Sequence, residues 1–282
     1  MLSQKILQGK DLPSNELRAF INGPQLGFEH LDWLPSQSRL SEESTFCLMD
    51  DDEIQAVLSV APENRNFAWL RFFFTHWDGN HTTNFDYLFE HAKTWLANKQ
   101  IPQLFSLTTS EWIERLLIKH GFQLNNQIVS LSSQELTAKA RTLPENLQIR
   151  PMRLNDIPEL ESLDELCFRP PWQLNQSSLE KSYSKGAHSS LVSQGSRLIG
   201  YQISDNVFDH LHLARIAVHP DFQGKGIARQ LMADMIDNFK ASAIQTYTVN
   251  TQADNLASLR LYHSFGFKEE GRPTPVYLFQ ID

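Results

Sequence analysis

Leu116–Phe122 reads LLIKHGF, and 145 positions later Leu261–Phe267 reads LYHSFGF. The same shift lays Phe73 on Val218, at matching points of two β-rich runs. Self-similarity of that period constrains the fold strongly, because it calls for two copies of one unit, each with its own core. The 282 residues, 41% of them apolar, supply enough chain and enough apolar surface for two.

The order of elements repeats as well. In the first half, Phe46–Met49 and Ile54–Val60 read as strands around the acidic turn Asp50–Glu53, and Phe67–Thr75 as a third. Phe85, Leu88, Phe89, Ala92, Trp95 and Leu96 describe one helix face. Leu104–Thr108 is a strand, Trp112–Lys119 a helix stopped by Gly121, and Ile128–Leu131 a closing strand. Ahead of these, a short helix over Asn15–Ile21 sits in a stretch punctuated by Gly23-Pro24, Gly27 and Pro35. In the second half, strand Leu147–Pro151 precedes a helix with Pro158 in its first turn, which CFRPPW (Cys167–Trp172) breaks. A hairpin over Leu191–Ser193 and Arg197–Ser204 follows, then strand His210–Val218, a helix from Ile227, strand Thr246–Asn250, helix Ser258–His263 and strand Val276–Gln280. The polar, proline-bearing stretch around Ser132–Asn146 reads as a linker, so the predicted division is 1–135, a linker at 136–146, and 147–282.

Composition excludes several classes. The net charge of −8 argues against a nucleic-acid-binding chain and suits a cationic amine. No run approaches the roughly eighteen apolar residues of a membrane span, and MLSQKILQGKDLP lacks the apolar stretch of a secretory signal. Cys47 and Cys167 fall in different halves, which implies neither a disulfide framework nor a metal cluster and fits a reducing, cytoplasmic setting. The acidic turn reads as solvated, and the run Phe72-Phe73-Phe74 as core rather than a base-stacking platform, since no basic groove accompanies it.

The chemistry gathers in HLHLARIAVHPDFQGKGIARQLM, His210–Met232. It reads as a strand, a glycine loop and a helix whose apolar residues Ile227, Leu231, Met232, Met235, Ile236 and Phe239 share a face. Gln223, Gly224, Lys225, Gly226, Ile227, Ala228 and Arg229 would stand at the helix N-terminus. There free N–H groups and the helix dipole favour a pyrophosphate, and small residues let it approach. The loop is neither a Walker loop nor a dinucleotide fingerprint.

Together with DNLASLRLYHSFGF (Asp254–Phe267), this stretch resembles the GNAT superfamily of acetyl-coenzyme A-dependent N-acetyltransferases. Its loop signature Q/R-x-x-G-x-G/A is matched by Gln223, Gly226 and Ala228, and its second pattern by Asn255, Ser258, Leu261, Tyr262, Gly266 and Phe267. The resemblance covers about residues 148–282. It implies two α/β (α+β) GNAT-like domains, each a mixed, mostly antiparallel sheet flanked by helices, with acetyl-coenzyme A as cosubstrate and no metal. It also implies that the first copy is degenerate. Asp78, Gly79, Asn80, His81 and Thr83 stand in place of the loop, Leu117 in place of Tyr262 and Ser110 in place of Asn255.

By the same resemblance, backbone groups of Ile216, Ala217 and Val218 hold the thioester and pantetheine, Asn255 and Ser258 contact the pantetheine arm, and Tyr262 is the general acid. Tyr262 reads otherwise as a core residue of an amphipathic helix, and Asn255 as a cap. The family's place for the base on the central strand falls on His212. His210 shares its face, as in the His-Leu-His of the arylalkylamine acetyltransferases, and an imidazole suits proton uptake near neutrality. CFRPPW is similar to the segment that lines the acceptor cleft in ribosomal-protein N-terminal alanine acetyltransferases. The glutamate those enzymes use is absent, the matching position being Asn250 or Thr248. The expected acceptor is therefore a small-molecule amine or a peptide N-terminus, and the competing reading is a non-catalytic acyl-coenzyme A sensor or scaffold.

Overall fold

The computed structural model describes residues 4–30, 35–77, 80–137 and 142–281. Asp78 and Gly79 of the loop-equivalent stretch, and residues 138–141 of the expected linker, lie outside these. In chain order the elements begin with β1 (Lys5–Gln8), α1 (Ser14–Ile21), β2 (Gln25–Glu29), β3 (Thr45–Asp50), β4 (Glu53–Pro62), β5 (Ala68–His76) and α2 (His81–Asn98). Next come β6 (Gln103–Leu107), α3 (Glu111–Lys119), β7 (Gln123–Ser133), β8 (Gln148–Pro151), α4 (Ile157–Cys167) and α5 (Gln176–Lys185). The last are β9 (His188–Gln194), β10 (Arg197–Val207), β11 (His210–Val218), α6 (Ile227–Phe239), β12 (Thr246–Gln252), α7 (Leu256–His263) and β13 (Lys268–Gln280). No helix among the described residues is long and apolar enough to cross a membrane, and no cluster of His, Cys, Asp and Glu among them could hold a metal.

The chain separates into two compact units. One comprises Met1–Asn126 and Thr274–Asp282, the other Gln127–Pro273. The sequence reading cuts the chain once, in a linker. The units instead each take a strand from beyond that cut, residues 274–280 of β13 in the first and 127–133 of β7 in the second.

In the first unit the strands run β1-β3-β4-β5-β6-β13, antiparallel except for β5 beside β6. Strict alternation decides the two faces. Phe46, Leu48, Leu58 and Phe73 pack with α2 and α3, whereas Cys47, Met49, Val57, Phe72 and Phe74 pack with α1. The triple-phenylalanine run is thus core on both faces of one strand. β2 is the unexpected strand. It lies antiparallel along β5 from Gln25 opposite His76 to Glu29 opposite Phe72, just beyond the point where β5 stops pairing with β6 at Trp69. A stretch with Gly27 at its centre and Gly23-Pro24 ahead of it carries no local strand signal, because its partner is nearly fifty positions away.

The second unit orders its strands β7-β12-β11-β10-β9-β8, with β11 beside β12 the parallel pair. One face is covered by α4 and α5 over Leu191, Tyr201 and Ile203. The other is covered by α6 and α7, with Met232, Met235, Tyr262 and Phe265 over Leu211, Leu213 and Val249. Both units carry a β-bulge in the central hairpin, between Ser59 and Val60 in the first and between Ile203 and Ser204 in the second, one position apart under the 145-residue shift. That shared irregularity extends the repeat from sequence to backbone.

Candidate active site

The bulge leaves Ala214 without an opposite residue on β10 and shifts the phase of the strand after it. Before it, Leu211 and Leu213 face α6 and α7, while His210 and His212 face the other way. After it, Ile216 and Val218 pack toward Ile227 on the α6 side, and Arg215 turns toward α4. The same stretch is where β11 parts from β12, since the parallel pairing covers only His210–Leu213 against Thr246–Val249. Beyond Leu213 the strand edge opens into a cleft of about 550 Å³.

The second wall is the glycine loop. Gly224 and Gly226 hold φ of +76° and +84°, in the left-handed region where a side chain strains the backbone. Gly226 is the N-cap of α6 and offers no capping side chain, so the first N–H groups of that helix are left to an anion. Gln223 donates through Nε2 to the Val218 carbonyl at 3.1 Å, tying loop to strand. Lys225 donates to the Asp221 carbonyl at 3.0 Å and stands over the Phe222 ring. The third wall is α7, whose N-cap Asn255 accepts from the Ser258 N–H at 3.1 Å. An open strand edge, a positive-φ glycine cradle and an uncapped helix N-terminus converging on one cleft fit an extended thioester carrying a pyrophosphate.

Of the residues singled out by sequence, Ile216, Ala217, Val218, Gln223, Gly224, Gly226, Ile227, Ala228, Arg229, Asn255 and Ser258 line this cleft. Lys225, Tyr262, His212 and His210 are not among its lining residues. Tyr262 is 3% exposed and belongs to the core under α7. Burial pushes its phenol up to about 12, and a hydrogen bond with Ser258, which does line the cleft, opposes that. His212 lies four residues ahead of Ile216, roughly 13 Å along an extended strand. Its Nδ1 is 2.9 Å from Thr248 Oγ1. Burial lowers its pKa from the ordinary imidazole value, with the Asp205 carboxylate pulling the other way. His210 is exposed, 3.5 Å from Asp209.

Cys167 and Phe168 of CFRPPW, the segment expected at an acceptor cleft, line it as well. Three features were absent from the sequence analysis. Phe222, Ala257 and Arg260 line the cleft too. Gly200 lies across from β11 so closely that a Cβ there would stand 2.8 Å from the Ala217 carbonyl oxygen. Behind the wall, Asp164 of α4 is fully buried against Arg215. A carboxylate in the phase of Ile157, Leu160 and Leu163, and an arginine inside the apolar run ARIAV, are the signals that could have found that pair.

Residues 157–267 match the sequence profile of the Acetyltransferase (GNAT) family. The [ribosomal protein bS18]-alanine N-acetyltransferase of Escherichia coli (strain K12) is 27% identical over 132 residues, covering 43% of this chain and 80% of that protein. Two solved structures share the fold over nearly the whole chain. A tandem GNAT protein from the clavulanic acid biosynthesis pathway has a TM-score of 0.64 at 11% identity, covering 100% of this chain and 99% of its own. A GCN5-related N-acetyltransferase from Sphaerobacter thermophilus has a TM-score of 0.60 at 13% identity, covering 99% and 96%.

Proposed function

We propose that the chain, whose residues 157–267 match the Acetyltransferase (GNAT) family, transfers the acetyl group of acetyl-coenzyme A to a primary amine by direct attack. The observation that carries the reading is the convergence of the open β11 edge and the glycine loop on one cleft. Acetyl-coenzyme A supplies the activated thioester. Backbone N–H groups along Ile216–Val218 stabilise the negative charge that develops on its carbonyl oxygen as the amine attacks. The N–H groups at the start of α6, with Gln223, Gly224 and Gly226 shaping the loop, hold the pyrophosphate. Tyr262, through the neighbourhood of Ser258, donates the proton taken by the departing sulfur. At its raised pKa it is fully protonated and available.

An alkyl amine must lose a proton before it attacks. His212, kept neutral by burial, receives that proton through water, since its distance along the strand from Ile216 exceeds direct reach. His210 shares its face at the exposed end of the strand and is the alternative.

A peptide N-terminus is the acceptor class favoured by a specific observation. The relative with the bS18-alanine activity aligns over 80% of its own length, and CFRPPW contributes Cys167 and Phe168 to the cleft. A small amine is the other class. The first unit has no equivalent opening in this reading, because β2 already occupies the β5 edge beyond Trp69. Its degeneracy then has a structural cause beyond the one lost glycine, His81 in place of Gly226.

Calorimetric titration of acetyl-coenzyme A into the intact chain and into Gly226→Glu tests the division of labour. One site per chain, abolished by the substitution, is expected. Two sites, or one that survives, overturn it. Binding without turnover on amines and alanine-initiated peptides would favour the sensor reading.

A further inference from the structure

The cleft has one wall with no sheet or helix of its own to hold it. After α4 ends at Cys167, the chain runs irregularly to Asn175 before α5 begins. Phe168 at its start lines the cleft beside Cys167. Gln173 within it donates to the Phe168 and Glu165 carbonyls at 3.1 and 3.3 Å, and a side chain from the strand opposite ties it to the sheet. Arg215 reaches Asp164 with Nε at 2.9 Å and Nη2 at 2.7 and 2.6 Å from the two carboxylate oxygens. The same Nη2 donates to the Trp172 carbonyl at 2.6 Å. Its guanidinium carbon stands 3.5 Å from the centre of the Phe168 ring. Asp164 has further donors in the Tyr201 hydroxyl and, at 2.8 Å, the Leu174 N–H. A fully buried carboxylate held by four donor atoms, two of them from one bidentate arginine, is a closed polar network, and such networks fix geometry more dependably than they add stability.

The place of Arg215 in the strand gives the network a functional reading. It follows the bulge and immediately precedes Ile216–Val218, so one residue ties the strand edge to the irregular wall. Burial acts against its charge, but Asp164 and Tyr201 outweigh that and its pKa is raised, so the tie stays charged. Lysine cannot replace it, having neither the planar fork nor a flat face to lay on Phe168.

The geometry points to Arg215 as a positioning residue for the acceptor: paired with Asp164, it sets where Phe168 and the segment to Trp172 stand, leaving the coenzyme-facing edge to the backbone. This rests on the acetyltransferase reading above, so its test includes an arm that needs no turnover. Cys167 lines the cleft next to Phe168, Cys47 is wholly buried, and the chain has no other cysteine. Burial foremost holds the Cys167 thiol up at about 11, which makes it slow to alkylate while the wall is in place.

The variants are Arg215→Lys, which keeps the charge, and Phe168→Leu, which keeps the ion pair and removes the stacked face. Alkylation of Cys167 by iodoacetamide, followed by intact mass in the full chain, is expected to accelerate roughly tenfold in Arg215→Lys and less in Phe168→Leu. The dissociation constant for acetyl-coenzyme A should shift by less than about threefold in both, because the β11 backbone is untouched. With an alanine-initiated peptide as acceptor, KM for the peptide should rise at least about tenfold in Arg215→Lys while KM for acetyl-coenzyme A holds.

Unchanged alkylation in both variants, or coenzyme affinity falling in step with peptide affinity, overturns the positioning role. If Arg215→Lys does not fold, Phe168→Leu decides by the same two readouts. Failure of transfer to every amine with the alkylation result intact would count against the acetyltransferase reading and for the wall.

Discussion

At the scale of single residues, His212 carries the proposed base although it stands outside the lining of the cleft. His212→Ala is expected to lower kcat by about 10²-fold or more with little change in KM for acetyl-coenzyme A, measured by initial rates. An unaltered kcat would remove it from the reaction. Since burial depresses its pKa below the ordinary 6.5, the acidic limb of kcat/KM should fall at lower pH than for a free imidazole. Stability follows the same sign. The unfolded chain binds a proton near pH 6.5 and the folded chain only below it, so the His212 contribution is complete above 6.5 and declines as pH drops through that value.

Gly200 makes a separate residue-scale prediction. Gly200→Ala would press a Cβ against the Ala217 carbonyl, which sits on the cleft edge. Acetyl-coenzyme A affinity should drop by about tenfold or more in calorimetry. Residues carried by a linear motif were legible in the sequence, and Gly224, Gly226, Asn255 and Ser258 all line the cleft. Those whose role comes from a neighbour across the sheet, such as Gly200 opposite Val218 or Arg215 against Asp164, were not. Motif spacing encodes positions along the chain, and these contacts join positions 18 to 51 apart.

At the scale of elements, strands and helices with a clear period were readable, and their order repeated as expected. The misses were β1, β2 and α5. The two strands are short and α5 is largely polar, with only Leu179 and Ser182 buried, and β2 owes its form to pairing with β5 rather than to local propensity. The C-terminal strand shows the same limit. Its period marked Val276–Gln280 as a strand, but the pairing of Val276 with Leu107 and of Gln280 with Gln103 has no local signature. Val276 and Tyr277 are buried there, and Phe279 packs on Phe89 and Phe122. Truncation after Pro273 should therefore raise amide exchange across β6 by well over tenfold while β10 and β11 keep their protection. Equal loss in all of them would mean the last strand is not specific to the first unit.

At the scale of the whole molecule, the repeat, the fold of both halves and the placing of the glycine loop were all within reach of the sequence. The composition of the two compact units was not. The units also provide a test of where ligand energy goes. Acetyl-coenzyme A at about 100 times its Kd adds about 2.7 kcal/mol to the stability of whatever binds it. Hydrogen exchange should slow in β11, α6 and α7 and stay the same in β4, β5 and β6. Slowing in both sets would place a second coenzyme in the first unit.

The borrowed last strand has a consequence for synthesis. A ribosome finishes residue 126 early, yet the sheet containing β6 lacks its neighbour until residues 274–280 have been made. At about 5–20 residues per second, that interval is on the order of ten to thirty seconds. The half translated first is thus completed last, with Leu104 and Leu107 waiting at an open edge. The second unit has β7 to β12 by residue 252, α7 by residue 263 and its share of β13 by residue 273. A chaperone that shields nascent edges should accordingly engage the front of this chain for longer than the back.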